Sequence, residues 1–358
     1  MERKSKALLC AAVTAALYFP VSHAEDSKLA VSGFVDITYT AVDDTTAQTA
    51  NKSPTEKKFA ANGEVDFAGK LADKVSVRVD TDLDLVTNGG ANVAGSDSAR
   101  IEQAFFAYSA MDKVTVIAGV FNNPIGLEKE DAPDMLQTTH GQIWAIMDGQ
   151  TALNGNNIAG LAAAVNVASN TTVTVGLLND LQQTNEKNSL ALALNVTPMK
   201  NLDLEAGYVS QASRADAITA GSATAGGATY GSQGTVVGSA ENWWDVNATY
   251  KYEGLTVSAE YLAAKKIVDG AYGVTGNYMW SNGFGVTARY DVVSYGDPFD
   301  TVKDTKTATL AGSYMLAKNL TALLEYRTQD DPNDTDGVPG GGIISDGDLI
   351  QVEFVANF

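Results

Sequence analysis

Along most of the chain apolar and polar side chains alternate with a period of two. Val75, Val77, Val79, Leu83 and Leu85 interleave with Ser76, Arg78, Asp80, Asp82 and Asp84. A 3.6-residue period would smear these two sets round a helix axis, whereas a strand sends them to opposite faces. The same alternation recurs over 29–40, 58–71, 99–108, 114–120, 158–168, 172–178, 189–196 and 202–211, although the facing of 99–108 is ambiguous. It resumes over 242–250, 255–264, 271–280, 284–293, 306–315, 320–327 and 349–358, which makes about sixteen strands.

The connectors alternate as well. Ala72-Asp73-Lys74, Met111-Asp112-Lys113, Glu253-Gly254, Ser281-Asn282-Gly283 and Ala317-Lys318-Asn319 have tight-turn chemistry, as do 168–171 and 197–201. Between them lie longer connections at 41–57, 86–97, 121–157, 179–187, 212–240, 265–270, 294–304 and 328–345. An even strand count with one end of short turns and one of long loops predicts an all-β fold, a transmembrane antiparallel β-barrel with short periplasmic turns and long extracellular loops. No motif repeats at a fixed period, which argues against a propeller or β-helix. No stretch beyond the N-terminus is apolar enough for a helical span.

The N-terminus adds a targeting segment. Arg3, Lys4 and Lys6 precede an apolar run from Ala7 to Phe19, and Val21-Ser22-His23-Ala24 offers small residues for cleavage. Residues 1–24 therefore read as a signal peptide and 25–358 as a single outer-membrane barrel. Cys10 follows Leu8-Leu9 and does not fit a lipoprotein site. Removing a leader of net +2 takes the formal charge from −19 to about −21 and leaves no cysteine and only His140 as histidine. Such acidity excludes nucleic acid as a partner, because phosphates need clustered Lys and Arg. It suits a surface or lumen that meets cations.

Tyr39, Tyr208, Tyr250, Tyr261, Tyr272, Tyr278, Trp280, Phe284, Tyr290, Tyr314, Tyr326 and Phe358 fall near predicted strand ends. Amphipathic rings prefer the membrane–water boundary there, though strand propensity alone also favours aromatics. Sixteen strands are too many for side chains to fill the interior, so the lumen is expected to be aqueous.

The longest loop, 121–157, carries Asn123-Pro124-Ile125-Gly126-Leu127-Glu128-Lys129-Glu130-Asp131-Ala132-Pro133-Asp134. With this loop the chain resembles the porins of Gram-negative outer membranes, and the run from Gly119 to Glu128 is similar to the matching region of OmpL-like porins. The chain lacks the Pro-Glu-Phe-Gly run of the general trimeric porins. The terminal Phe358 resembles the signal by which outer-membrane barrels reach the barrel assembly machinery. The resemblance implies passive diffusion of small hydrophilic solutes and ions, a homotrimer, contact with outer-membrane lipid and lipopolysaccharide, and a third loop that folds inward as the constriction. Length and position alone leave packing on the rim open.

If the loop folds in, Glu128, Glu130, Asp131 and Asp134 hang over the lumen, and the lumen-facing register offers Arg78, Arg100, Arg289 and Arg327 as their basic counterparts. Opposed carboxylates and guanidinium groups across a narrow gap set up a transverse field that filters ions. The same register also supplies Asp80, Asp82 and Asp84, with Asp36, Glu64, Asp66, Glu102, Asp203, Glu205, Asp245, Glu260, Asp291, Glu325 and Glu353. Acid outnumbers base, so a cation preference is expected unless these groups pair locally or are screened at the mouths.

Rival readings are a non-conducting surface barrel, such as an adhesin, and an outer-membrane hydrolase. The second finds little support, because hydrolytic chemistry wants a histidine beside a nucleophile and Thr138-Thr139-His140-Gly141 marks none. No cofactor and no metal site is expected. The acidic run 330–337 does not match an EF-hand, and the Gly-rich stretch 221–238 reads as a surface loop.

Overall fold

The computed structural model describes residues 29–44, 55–86, 98–151, 153, 155–181, 186–212, 240–265, 268–295, 303–330 and 347–358, and three short strands within 224–237. The candidate leader 1–24 and most of the acidic run 330–337 lie outside the described residues.

Sixteen strands form the barrel. They are β1 (Ala30–Asp44), β2 (Thr55–Ala72), β3 (Val75–Val86), β4 (Ser98–Met111), β5 (Val114–Asn122), β6 (Asn157–Ala168), β7 (Thr171–Asn179) and β8 (Asn188–Met199). Then follow β9 (Leu202–Ser210), β10 (Asn242–Tyr252), β11 (Leu255–Ala264), β12 (Val268–Met279), β13 (Phe284–Tyr295), β14 (Thr305–Ala317), β15 (Leu320–Asp330) and β16 (Gly347–Asn357). Each pairs antiparallel with its sequence neighbours, and β1 pairs with β16 to close the sheet, Ile37 opposite Phe354. Closure extends to the last residue, where Phe358 N–H donates to Gly33 O at 3.0 Å and Gly33 N–H donates back at 3.3 Å. A closed sheet leaves no edge with unpaired backbone groups, as a strand-built membrane protein requires.

The burial pattern inverts that of a soluble protein. Val35, Ile37, Leu192, Val274, Leu310 and Ile350 face outward and are exposed, while Asp36, Thr38, Asp80, Asp291, Glu325 and Glu353 are buried inside. Lipid solvates the apolar face, and the polar face lines the lumen. Aromatics mark both ends. Tyr278, Trp280 and Phe284 cluster beside the short turns, and Tyr39 packs on Phe59 near the long loops at 4.8 Å between ring centroids. Asn201, Glu253 and Asn319 take positive φ in the short turns, which Asn tolerates through local hydrogen bonding.

Two local expectations change. The connection expected over 265–270 shortens to 265–267, because β12 starts at Val268 and absorbs Asp269 and Gly270 through a register shift beside Tyr295. The ambiguous facing of β4 has a cause in its pairing. Asp80 pairs with Gln103 and Thr81 with Ile101, so Glu102 is the extra residue of a bulge. Glu102 and Gln103 are consequently both buried on the lumen side.

Candidate functional site in the barrel lumen

The third loop leaves β5 at Asn122 and rejoins the wall at Asn157. Its neck is pinched by Asn123 and Asn156, whose side-chain amides bond at 3.2 Å and whose backbones bond at 3.1 Å. From there it crosses the lumen. Gly126 N–H donates to Glu205 on β9 at 2.9 Å and Leu127 N–H to Glu260 on β11 at 2.7 Å. Gly126 sits at φ +112°, and a Cβ there would run into Met147. Gly207 on β9 has the complementary role, since a Cβ on it would occupy the space filled by Ile125.

Further on, the segment Leu136–Gly141 reaches the opposite wall. Thr287 Oγ1 on β13 donates to Leu136 O at 3.0 Å, and Thr138 Oγ1 donates to Gln351 on β16 at 2.7 Å. Glu325 on β15 accepts from Thr138 N–H (2.7 Å), Thr139 N–H (3.2 Å) and the Thr139 hydroxyl. Arg289 on β13 donates to Thr139 O and His140 O, both at 2.9 Å. One wall carboxylate takes the loop's donors and one wall guanidinium takes its acceptors. A backbone that would otherwise bury unpaired groups is thereby satisfied.

The return path is the helix α1 (Gln142–Gly149). Ile143, Ile146 and Met147 repeat at helical spacing, are buried, and join the inner-wall residues Ile117, Phe121, Ile158, Leu178 and Ala193 in one apolar cluster. Gln142 donates to Thr307 and Gln329 at 2.9 and 2.8 Å, and Gln150 receives Ala240 N–H at 2.9 Å. The sequence signal for this helix is that i, i+3, i+4 set, short enough to be overlooked between strands.

The loop carboxylates separate into two environments. Glu128 lies 3.6 Å from Arg289, accepts from His140 Nδ1–H at 2.8 Å and from Gly141 N–H at 2.8 Å, and His140 stacks on Trp144 at 3.5 Å. Burial would raise the Glu128 carboxyl, but Arg289, His140 and the Gly141 N–H outweigh it and hold the group below its ordinary value. Glu130 and Asp131 turn instead toward the β2–β4 wall. Burial and the nearby Glu102 push Glu130 up to about 11 and Asp131 up to about 7. Lys129 lies between Glu205, Asp134 and Asp131, and burial lowers its ammonium.

The four arginines do not share one wall. Arg78 Nε pairs with Asp80 at 2.7 Å and Arg78 Nη2 with Asp66 at 3.2 Å, while Arg100 Nε pairs with Asp82 at 2.8 Å. Arg289 and Arg327 stand across the barrel on β13 and β15, where Arg289 also meets Asp291 at 3.1 Å and Arg327 bonds Gln329 at 2.7 Å. Asp84 continues the face of β3, and its side chain lies outside the described residues.

The turn around Lys129 and Asp134 divides two cavities. One, about 400 Å³, runs past Asn195, Asn247, Thr249, Ser258 and Thr275 and includes Glu128 and Arg289 in its lining. The other, about 330 Å³, is lined by Arg78, Glu130 and Asp131 on one side and by Ile117, Phe121 and Ala162 on the other. Arg100, Arg327, Asp80 and Asp82 line neither.

A closed sheet of this size, apolar outside and polar within, with its longest loop held inside the lumen, defines a transmembrane β-barrel of the channel class. The chain belongs to the Gram-negative porin family, whose sequence pattern matches residues 11–334. No curated protein matches it by sequence. Among solved structures it is similar to OmpF of Salmonella typhi in complex with daunomycin, at TM-score 0.67 and 13% identity over 93% of this chain and 98% of that one. It is also similar to a mutant of the Rh. blastica porin, at TM-score 0.58 and 13% identity over 92% and 100%. A third is OmpT, an outer membrane protein of Vibrio cholerae, in its trimer form, at TM-score 0.59 and 12% identity over 93% and 100%. Identities this low speak for the fold alone.

Proposed function

We propose that this porin is a passive diffusion channel for small hydrophilic solutes and ions with a preference for cations, working as a homotrimer after export by its N-terminal leader. The observation that carries the reading is the docked third loop, which narrows the lumen while placing Glu128, Glu130, Asp131 and Asp134 inside it. Of the arginines that would offset them, Arg78 and Arg100 are already engaged with Asp66, Asp80 and Asp82. Glu128 is balanced in turn by Arg289, and burial leaves Glu130 protonated at neutral pH, so the field comes from the wider excess of lumen acids over lumen bases, which draws cations and repels anions.

A hydrolytic role has less support. His140 is held by Glu128 and the face of Trp144, and among the described residues no Ser, Thr or Cys hydrogen-bonds its other ring nitrogen as a nucleophile would. The trimer form of the Vibrio cholerae OmpT supports the assembly part of the reading.

The test is single-channel recording of the refolded mature chain in a planar bilayer under a salt gradient. Discrete steps with a reversal potential on the cation side are expected. A folded barrel that gives no steps, or an anion-side reversal, overturns the proposal.

A further inference from the structure

The β2–β4 wall brings Glu102 up against two of the loop acids that the channel reading uses, Glu130 and Asp131. Glu102 from β4, Glu130 and Asp131 from the loop each offer one carboxylate oxygen, and the three lie within 4.8 Å of one another. Glu102 also belongs to a second such group with Glu64 of β2 and Asp82 of β3. Four carboxylates from three other segments thus gather round Glu102.

Glu102 is 5% exposed. Its Oε1 accepts from Asn157 Nδ2 at 2.9 Å, whereas among the described residues no amide, hydroxyl or basic donor reaches its buried Oε2, which has the acid Glu130 within hydrogen-bond reach. A carboxylate oxygen buried among other carboxylates is costly unless something positive sits against it. Of the neighbouring guanidinium groups, Arg78 pairs with Asp80 and Asp66 and lies 3.9 Å from Glu64, and Arg100 pairs with Asp82. Gly155 makes room for the arrangement, because a Cβ there would overlap the Glu130 carboxylate.

We propose that Glu102, Glu130 and Asp131 bind one Ca²⁺ ion that clips the third loop to β4, with Glu64 and Asp82 completing its surroundings. Oxygens held at about 2.3–2.6 Å from Ca²⁺ stand at most about 5 Å apart, and the three oxygens lie inside that limit. Mg²⁺ needs a stricter octahedron at about 2.0–2.1 Å and keeps several waters, which suits a site built from converging carboxylates less well. All-oxygen donors select a hard divalent cation over the softer transition metals. The competing occupant is a proton shared between two of the carboxylates.

The test is calorimetric titration of CaCl₂ into the full mature chain, refolded in detergent, stripped with EDTA and shown to be folded by its heat-modifiable gel mobility. One saturable site per chain is expected. Glu102→Gln and Glu130→Gln should each weaken it at least tenfold, with Asp131→Asn as a third variant should either fail to fold. Asp73→Asn in a short turn should bind as the unaltered chain does. The proposal falls if the folded, unaltered chain shows no saturable Ca²⁺ binding below about 1 mM, the weak end of extracellular calcium sites. It falls equally if the folded variants bind Ca²⁺ undiminished. Ion passage plays no part in the readout, so a silent bilayer leaves the result intact.

Discussion

Replacing Arg289 with methionine should release the part of the third loop that faces β13 to β16. The guanidinium is 7% exposed and donates to Thr139 O and His140 O at 2.9 Å each. It also balances Glu128 at 3.6 Å and Asp291 at 3.1 Å. Methionine keeps much of the volume but takes the cation from two carbonyls and two carboxylates, of which, among the described residues, Glu128 keeps only His140 and Gly141 N–H and His140 O only Arg327 at 3.5 Å. Removing one member of a buried charged pair costs about 3–5 kcal/mol. At about 1.4 kcal/mol per factor of ten, the docked and released states of this segment shift by roughly 10² to several times 10³ in population. Recorded in a planar bilayer, Arg289→Met should show larger or noisier open-channel currents than the unaltered chain. Arg289→Lys should recover only part of the steadiness, because an ammonium cannot reach two carbonyls and two carboxylates at once. Wild-type conductance, wild-type noise and an unchanged melting temperature in the methionine variant would refute the assignment of Arg289 as the loop's anchor.

Other consequences are open to measurement. Because Glu128 titrates below its ordinary value in the folded chain, its contribution to stability is complete above about pH 4.3 and fades as pH falls through the depressed value. The melting-temperature gap between the unaltered chain and Glu128→Gln should therefore be constant from neutral pH down to about 5 and shrink below about 4. Ile146 and Met147 are fully buried, so Ile146→Ala should cost about 2–5 kcal/mol, seen as faster proteolysis of the third loop with the barrel still heat-modifiable. Gly207→Val should displace Ile125, whose side chain occupies the space of the added Cβ; a changed single-channel conductance from a normally assembled barrel is the expected result.

The barrel was legible because its signal is local and repeated. Val75 to Leu85 shows its two faces to any reader, and each further strand confirms the period. The closing pair β1 and β16 follows from an even count without any long-range knowledge. What resisted reading depends on residues far apart in sequence. Glu205, Glu260 and Glu325 stand out as lumen acids, but nothing in their neighbourhoods says that they accept backbone N–H groups from positions 126, 127, 138 and 139. The bulge that turns Glu102 inward breaks the period at the point where the facing mattered most. Arg78 and Arg100 occupy lumen-side register positions, yet register gives no hint that each is taken up by an aspartate on its own or a neighbouring strand.

The bond between Phe358 and Gly33 has a consequence for how the molecule is made. The strand that β1 needs on its second side is the sixteenth along the chain, so no stretch that stops short of β16 can complete the ring. A product cut short before β16 would keep two raw sheet margins, each able to recruit a foreign strand. Possession of both β1 and β16 is thus written into the topology itself, and a cell could sort barrels that hold both strands from fragments simply by which of them close.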